Sequence, residues 1–173
     1  MKSFFCGIIF MLAALIAGVY IAVTHGWVPA NADGAPGVFE TWAAHKSLGA
    51  ALKGVTDEPV TMAATSANLI AGIKIYRTNC AFCHGASDGK ASNVATGLFQ
   101  HAPQFASDLL TDHPENRIHW FVTHGVRFTG MPSFTNSLSE GQIWQVVLFL
   151  KHMAHLPPAA QKVWKSVPSS KFL

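Results

Sequence analysis

The chain has little charge and few cysteines, and each shortage excludes a class of protein. Charged residues make up 12% of its 173 residues, and the net charge is only +3. Binding of nucleic acid usually requires a concentrated basic face, so we expect no nucleic-acid partner. Only three cysteines are present, and their positions are more informative than their number.

Two of the cysteines lie in the motif Cys80-Ala81-Phe82-Cys83-His84. Two thiols at this spacing, with a histidine directly after the second, are typical of a c-type haem attachment site. A thioredoxin-like redox pair would need a βαβ pattern, which the sequence lacks, and a structural zinc site would need a second close pair of ligands. We therefore predict one covalent haem c on Cys80 and Cys83, with the His84 imidazole against its iron. No pair of cysteines is then left for a structural disulfide.

Met131 is the candidate for the second axial ligand of the iron. It lies in Gly130-Met131-Pro132, 47 residues after His84. A Met/His pair on haem iron is the cytochrome c pattern, and Pro132 stiffens the loop because its ring fixes φ. Met131 could instead be an ordinary core residue, or a histidine could ligate the iron in its place. Six histidines keep that alternative open: His101, His113, His119, His124, His152 and His155.

About residues 66–156 resemble the class I cytochrome c family. The likeness rests on Gly72-Ile73-Lys74-Ile75-Tyr76, on the haem motif followed by Gly85, on the stretch from Gly125 to Pro132, and on a closing apolar helix. The resemblance implies an electron carrier rather than an enzyme. It also implies that both cysteines of the motif bind haem and that His84 and Met131 ligate the iron.

Capping residues and apolar spacing predict the helices of this region. Ser66 is the expected cap of a first helix that runs to about Thr78. Pro114 begins a second helix, which Gly125 ends. The segment 86–110, between these helices, is expected to be mostly loop.

A closing helix is predicted to begin with a capping box formed by Ser139 and Gln142. It runs to about His155, and its segment 143–150 is apolar nearly all round. Such a helix is buried on most sides. The first helix and haem would cover part of it, and a partner subunit could cover the rest. By resemblance, Gly72 allows this helix to approach the first one closely.

Three further contacts of the haem can be suggested from the sequence. The resemblance places the carbonyl that accepts a hydrogen bond from His84 in Ala102-Pro103, and such a bond fixes the orientation of a ligating imidazole. Arg127 and Trp120 are our candidates for donors to the haem propionates. Arg127 could equally be a solvated surface charge.

The N-terminus contains an uncharged run from Phe4 to Val23, which is long enough to cross a bilayer. Lys2 precedes it, as expected for a cytoplasmic start. Ala30-Asn31-Ala32 would suit cleavage of a signal peptide, but the apolar run is longer than a usual signal core. We therefore predict a single-pass anchor over residues 1–26 in a bacterial inner membrane. By resemblance, the haem domain lies on the periplasmic side, where c-type haem is attached.

The remaining segments connect or follow these parts. Residues 27–65 form a connecting segment with a predicted helix over 38–54. Its apolar side chains recur at helical spacing: Val38, Phe39, Trp42, Leu48, Leu52 and Val55. This helix could pack on its own haem domain or contact a partner. Residues 157–173 are expected to be an irregular basic tail.

The predicted architecture is all-α, with a cytochrome c-like haem domain over 66–156 and an N-terminal transmembrane helix. Such a protein would carry one electron in a respiratory or dehydrogenase chain. Its partners would be the membrane and redox proteins, and we expect it to be a subunit of a multi-subunit membrane complex. A tethered shuttle between membrane complexes is an alternative that the sequence leaves open. The alternative is a haem-based gas-sensing or ligand-binding protein with a labile sixth ligand. A third possibility is an oxidoreductase subunit whose partner holds the catalytic cofactor.

Overall fold

The computed structural model describes residues 2–56, 58 and 60–167. Within these ranges the regular structure is entirely helical, which confirms the predicted all-α class. The α-helices are α1 (Lys2–Thr24), α2 (Val38–Ala51), α3 (Ser66–Asn79), α4 (Ala81–His84), α5 (Asn93–Gly97), α6 (Glu115–His124), α7 (Glu140–His152) and α8 (Pro158–Lys165). Short 3-10 turns at Leu52–Gly54 and Met153–His155 follow α2 and α7.

The chain divides into two compact units, Met1–Gly34 and Ala35–Leu173. The first unit consists mainly of α1, a helix of 23 residues with a mean hydropathy of 2.6 and no buried residue. Length and composition allow this helix to cross a membrane, and a signal sequence would satisfy the same test. The expected long apolar N-terminal helix is therefore confirmed.

The core of the second unit forms where α3 crosses α7. The helix α3 buries Leu69, Ile73 and Tyr76. At the crossing, a Cβ atom on Gly72 would collide with the carbonyl oxygen of Gln145. The two backbones can meet there only because residue 72 has no side chain, as the sequence predicted.

The cap of α3 differs by one residue from the prediction. The hydroxyl of Thr65, not of Ser66, accepts a hydrogen bond from the Asn68 amide at 3.2 Å. Thr65 has an extended backbone and lies three residues before Asn68, so its hydroxyl can reach the Asn68 amide. Ser66 is therefore the first residue of the helix rather than its cap. The helix also continues one residue past Thr78.

Local signals at the other helices are confirmed. In the capping box of α7, the Ser139 amide donates to the Gln142 side chain at 2.8 Å, and the Gln142 amide donates to the Ser139 hydroxyl at 3.3 Å. Pro114 precedes α6 as its cap, and Gly125 ends that helix with a positive φ of 66°. Such a backbone angle favours glycine.

The C-terminal segment is not irregular over its described residues, 157–167, which corrects the sequence prediction there. Pro158–Lys165 forms α8, with Pro158 in the first turn, where a missing N–H is harmless. Ala160 and Trp164 are buried, and the Trp164 ring lies 5.6 Å from Tyr76 and 5.1 Å from Phe149. The lysines of this segment suggested a surface position in the sequence, but the apolar side chains between them are buried. Lys171 lies outside the described residues.

The packing of α8 also affects α7. The apolar run of α7 is buried within the second unit at Ile143 and from Val146 to Leu150. These side chains therefore offer no free face to a partner subunit. The prediction of such a face was wrong because α3 and α6 pack along α7, and Trp164 of α8 lies against Phe149.

The connecting helix forms where it was predicted but buries none of its residues. Val38, Phe39 and Trp42 are 90%, 76% and 55% exposed, and the last two rings lie 5.6 Å apart. This aromatic face does not pack on the described part of the haem domain. Its contact with a partner stays a prediction.

Candidate haem site

The haem motif occupies a single helical turn. The Cys80 amide closes α3 with a hydrogen bond of 2.8 Å to the Tyr76 carbonyl. The chain then turns into α4, where the His84 amide donates to the Cys80 carbonyl at 2.9 Å. Gly85 ends the turn with a φ of 81°. Both thiols and the imidazole therefore project from one turn that α3 positions.

The two thiols differ from reactive cysteines in their acidity. Burial, with a smaller contribution from the neighbouring Cys83, raises the pKa of Cys80 to about 12. Burial also raises the pKa of Cys83. A redox or nucleophilic cysteine needs a lowered pKa, because the thiolate is the reactive form. The pair is therefore poorly suited to disulfide exchange.

The orientation of His84 is fixed by one segment, 103–105. Its Nδ1 donates a hydrogen bond of 3.0 Å to the carbonyl of Pro103, which confirms the acceptor position that the sequence suggested. The Phe105 ring stacks on the imidazole, with centroids 4.3 Å apart and planes 9° apart. Burial lowers the pKa of His84, although the Pro103 bond opposes that shift. The imidazole is therefore neutral at pH 7, with Nε2 as the nitrogen that can ligate a metal.

The buried side chain of Tyr76 is hydrogen-bonded to the residue that ends the haem turn. The Tyr76 hydroxyl donates to the Gly85 carbonyl at 2.7 Å, and the residue is fully buried. Burial, with a smaller contribution from Cys80, raises the pKa of Tyr76 well above its usual value, so the hydroxyl stays a donor. In the sequence Tyr76 was visible only as a member of the apolar helical spacing.

A short helix that the sequence did not predict lies within the segment 86–110. Ser92 caps α5 by accepting a hydrogen bond from the Ala95 amide at 3.0 Å. The same hydroxyl donates to the Phe82 carbonyl at 2.5 Å, so it also holds α4. A serine, which favours the N-cap position, was the available signal, but five residues give no helical periodicity.

The loop that carries Met131 is closed by its own hydrogen bonds. The Val126 amide donates to the Met131 carbonyl at 3.1 Å, and the Met131 amide donates to the Thr129 hydroxyl at 3.1 Å. Phe128 lies at the tip of this loop, 90% exposed and with a φ of 62°. Because the loop is internally bonded, the backbone of half-buried Met131 has a defined position.

The loop also lies against α5. A Cβ atom on Gly130 would lie 2.6 Å from a methyl carbon of Leu98, directly after that helix. Gly130, directly before Met131, therefore contacts the residue that follows α5. Ser92, the cap of α5, joins this helix to the haem motif.

The family described as cytochrome c oxidase, cbb3-type, subunit III matches residues 67–150. This stretch is a cytochrome c domain. It includes the haem motif, Met131 and nearly all of α7, so the resemblance stated from the sequence is confirmed. No curated protein and no solved structure matches this chain.

The two suggested propionate donors lie in α6 and in the loop that carries Met131. Arg127 is exposed in the Met131 loop. Trp120 lines a pocket on α6 with Thr56, Glu58 and Asn116. Their contact with haem propionates stays a prediction.

Two of the six alternative histidines are partly buried and have contacts within the chain. Nε2 of His119 lies 2.9 Å from a carboxylate oxygen of Glu140, and its ring stacks on Trp144 at 4.2 Å. His152 makes a hydrogen bond of 2.9 Å to the Leu148 carbonyl within its own helix. The other four candidates are exposed: His101, His113, His124 and His155. Ligation by Met131 itself stays a prediction.

The donor set of the cytochrome c domain fits a covalent haem. Two thiols and a neutral imidazole share one turn, and the second nitrogen of that imidazole already has its acceptor. Ligating histidines commonly have such an acceptor for the other ring N–H, because it fixes the ring and raises its basicity. A cytochrome c domain of this kind serves as a haem electron carrier rather than as an enzyme.

Proposed function

We propose that this protein is a membrane-anchored carrier of one electron, with a single covalent haem c. The observation that supports this most directly is α4, which presents Cys80, Cys83 and His84 on one turn with the imidazole fixed by Pro103. The two sulfurs would hold the haem, and His84 and Met131 would ligate its iron. When bound, the haem iron takes up and releases one electron.

The chain's own residues prepare the site for this role. Phe105 and Pro103 limit rotation of the His84 ring, and burial keeps that ring uncharged. The hydrogen-bonded loop limits the movement of Met131. A ligand set held in this way needs little rearrangement between oxidation states. Arg127 and Trp120 are proposed to donate to the propionates.

We also propose a location and a division of the chain. An N-terminal apolar helix with a cytochrome c domain indicates a membrane or periplasmic location. More specifically, residues 1–26 would anchor the protein in a bacterial inner membrane, with the domain over 66–156 in the periplasm. Residues 27–65 would connect the two, and 157–173 would follow. Because α8 packs on α3, the folded body reaches at least Val167.

Membership in a respiratory or dehydrogenase complex is the least direct part of the proposal. The matching family is named after a subunit of a cbb3-type oxidase. The exposed aromatic face of α2 offers a surface for a partner. Because that surface is apolar and the chain is weakly charged, we expect the association to depend little on salt.

One experiment tests carrier and complex together. Membranes that contain the full chain are solubilised in mild detergent, and native and denaturing gels are stained for haem peroxidase activity. We expect a haem-bearing band in the denaturing gel and a particle larger than the monomer in the native gel. Cys80→Ala with Cys83→Ala should abolish the denaturing band, since a covalent haem alone survives denaturation.

The other outcomes separate the alternatives. A wild-type protein without covalent haem would end the carrier proposal. A free monomer in the native gel would remove the complex and leave a tethered shuttle. N-terminal sequencing that begins at Asp33 would replace the anchor with a cleaved signal. Rapid CO binding by the reduced protein would favour a gas sensor instead.

A further inference from the structure

The segment 102–105 contacts the second half of the haem motif through several groups. Pro103 accepts the hydrogen bond from His84, and the Phe105 ring stacks on the imidazole. The Phe105 amide donates to the His84 carbonyl at 3.2 Å. We call this segment the brace. Its position relative to α4 therefore decides how the imidazole is held.

Gln104 ties the brace to α4. Its side-chain Nε2 donates to the Cys83 carbonyl at 3.0 Å and to the Ala102 carbonyl at 2.9 Å. The Cys83 carbonyl lies in the last turn of α4, where carbonyls lack partners within the helix. One amide group thus joins the end of the haem turn to the start of the brace.

The side chain of Gln104 has little freedom to move. Its Oε1 is buried, with no hydrogen-bond partner among the described residues. A Cβ atom on Gly85 would lie only 2.6 Å from this oxygen. Gln104 therefore occupies space that exists because residue 85 is glycine. A buried amide with one atom unsatisfied is costly, so its position is imposed by the surrounding chain.

The backbone of Gln104 is anchored as well. Its amide donates to a carboxylate oxygen of Asp108 at 2.9 Å. Its carbonyl accepts from the amides of Ser107 and Asp108 at 2.9 and 2.8 Å. The side chain of Gln104 therefore extends from a hydrogen-bonded turn. Its hydrogen bond to the Cys83 carbonyl restrains the end of α4 relative to that turn.

We propose that Gln104 is a positioning residue that keeps the Pro103 carbonyl in place against His84 and thereby sets the reduction potential of the haem. This rests on the proposed carrier function. A strong bond from Nδ1 to a carbonyl makes the imidazole a better electron donor to a metal. A better donor favours the oxidised iron, so loosening the brace should raise the potential.

The test compares two variants of the full, haem-loaded chain in mild detergent. Gln104→Met keeps the length of the side chain but removes both donated hydrogen bonds. Ser92→Ala is the matched control, because Ser92 is also buried and also donates to a carbonyl of α4, but it does not contact the brace. We expect Gln104→Met to raise the potential, and we expect Ser92→Ala, which loosens α4 but removes no hydrogen bond of the brace, to raise it less.

Amide hydrogen exchange supplies a second readout that is independent of the potential. The Phe105 amide should exchange faster in Gln104→Met, because its acceptor belongs to His84, and it should be unchanged in Ser92→Ala. If Gln104→Met does not load haem, Gln104→Asn replaces it. Its side chain is one methylene shorter and cannot reach both carbonyls, so the same direction of change is expected.

The outcomes separate the two proposals. A haem-loaded variant at Gln104 with the wild-type potential, or an equal rise in Ser92→Ala, overturns the positioning role and leaves the carrier function intact. Absence of covalent haem from the wild-type protein overturns the carrier function itself.

Discussion

The hydroxyl of Tyr76 donates a 2.7 Å hydrogen bond to the carbonyl of Gly85, nine residues later in the chain. This bond joins α3 to the residue that ends the haem turn. The Tyr76 ring also lies against Phe149 and Trp164, at 5.3 and 5.6 Å. The Tyr76 side chain of α3 therefore contacts α7 and α8 in the core and also stabilises the haem motif.

Replacing Tyr76 with phenylalanine should destabilise the second unit without releasing haem. The Gly85 carbonyl would remain buried without its donor, which costs about 1–3 kcal/mol. Denaturant unfolding of the haem-loaded chain measures the loss. Tyr20→Phe, on the exposed surface of α1, is the control and should leave the midpoint unchanged. Equal midpoints for Tyr76→Phe and wild type would show that this bond adds nothing.

The same residue predicts how stability depends on alkaline pH. Burial raises the pKa of Tyr76 in the folded chain, whereas the unfolded phenol titrates near its ordinary value of 10.0. The unfolded chain therefore loses a proton that the folded chain keeps. The contribution to stability is complete below about pH 10 and declines as the pH rises further.

Urea unfolding between about pH 8 and pH 11 measures this decline. The free energy of unfolding should fall more steeply in wild type than in Tyr76→Phe. The lysines and Tyr20 are common to both proteins, so their titration cancels in the comparison. Parallel curves would mean that Tyr76 ionises as readily in the folded state as in the unfolded state.

Gly72→Ala should be among the most damaging single-methyl additions in this chain. The new Cβ would meet the backbone of Gln145, which cannot move aside as a flexible side chain can. Overpacking of a core typically costs about 1–3 kcal/mol or more. Gly49→Ala is the control, because nothing lies within 4 Å of its Cβ position on α2. Thermal unfolding followed by circular dichroism should show a loss for Gly72→Ala alone.

Met131→Ala tests the second iron ligand. The oxidised wild-type protein should show the weak near-infrared band of sulfur-to-iron charge transfer, and the variant should lose it. Its potential should also fall, because a thioether ligand raises the potential. Met62→Ala, at a half-buried methionine before α3, is the control. Retention of the band in Met131→Ala would move the ligand role to another residue, and absence of the band from wild type would favour a histidine.

Signals confined to a few neighbouring residues could be interpreted from the sequence. The spacing of Cys80, Cys83 and His84 is local, and so is the reciprocal capping of Ser139 with Gln142. In each, the interacting groups lie within one helical turn, so the backbone geometry of a helix already brings them together. The single-residue error at Thr65 shows the limit, because two adjacent hydroxyls offered the same signal.

Contacts between distant segments were decided by the tertiary structure. Pro103 and Gln104 meet the haem motif from 19 and 21 residues away, and only the fold of segment 86–110 determines which carbonyl faces which donor. The family resemblance narrowed the acceptor to Ala102-Pro103, but it gave no sign of Gln104 or Phe105. The helix α8 was missed for the same reason, since its eight residues are stabilised by burial against Tyr76 rather than by their own propensity.

The amino-acid sequence by itself predicted the chemistry of this protein, because two thiols and an imidazole at that spacing are typical of a haem attachment turn. The tertiary structure decided how firmly the turn is held and in which direction the imidazole points. The firmness depends on hydrogen bonds from Tyr76 to the Gly85 carbonyl, from Ser92 to that of Phe82 and from Gln104 to that of Cys83. The direction of the imidazole depends on the carbonyl of Pro103. Any backbone carbonyl can accept such a bond, so no pattern of residue types indicates which one will.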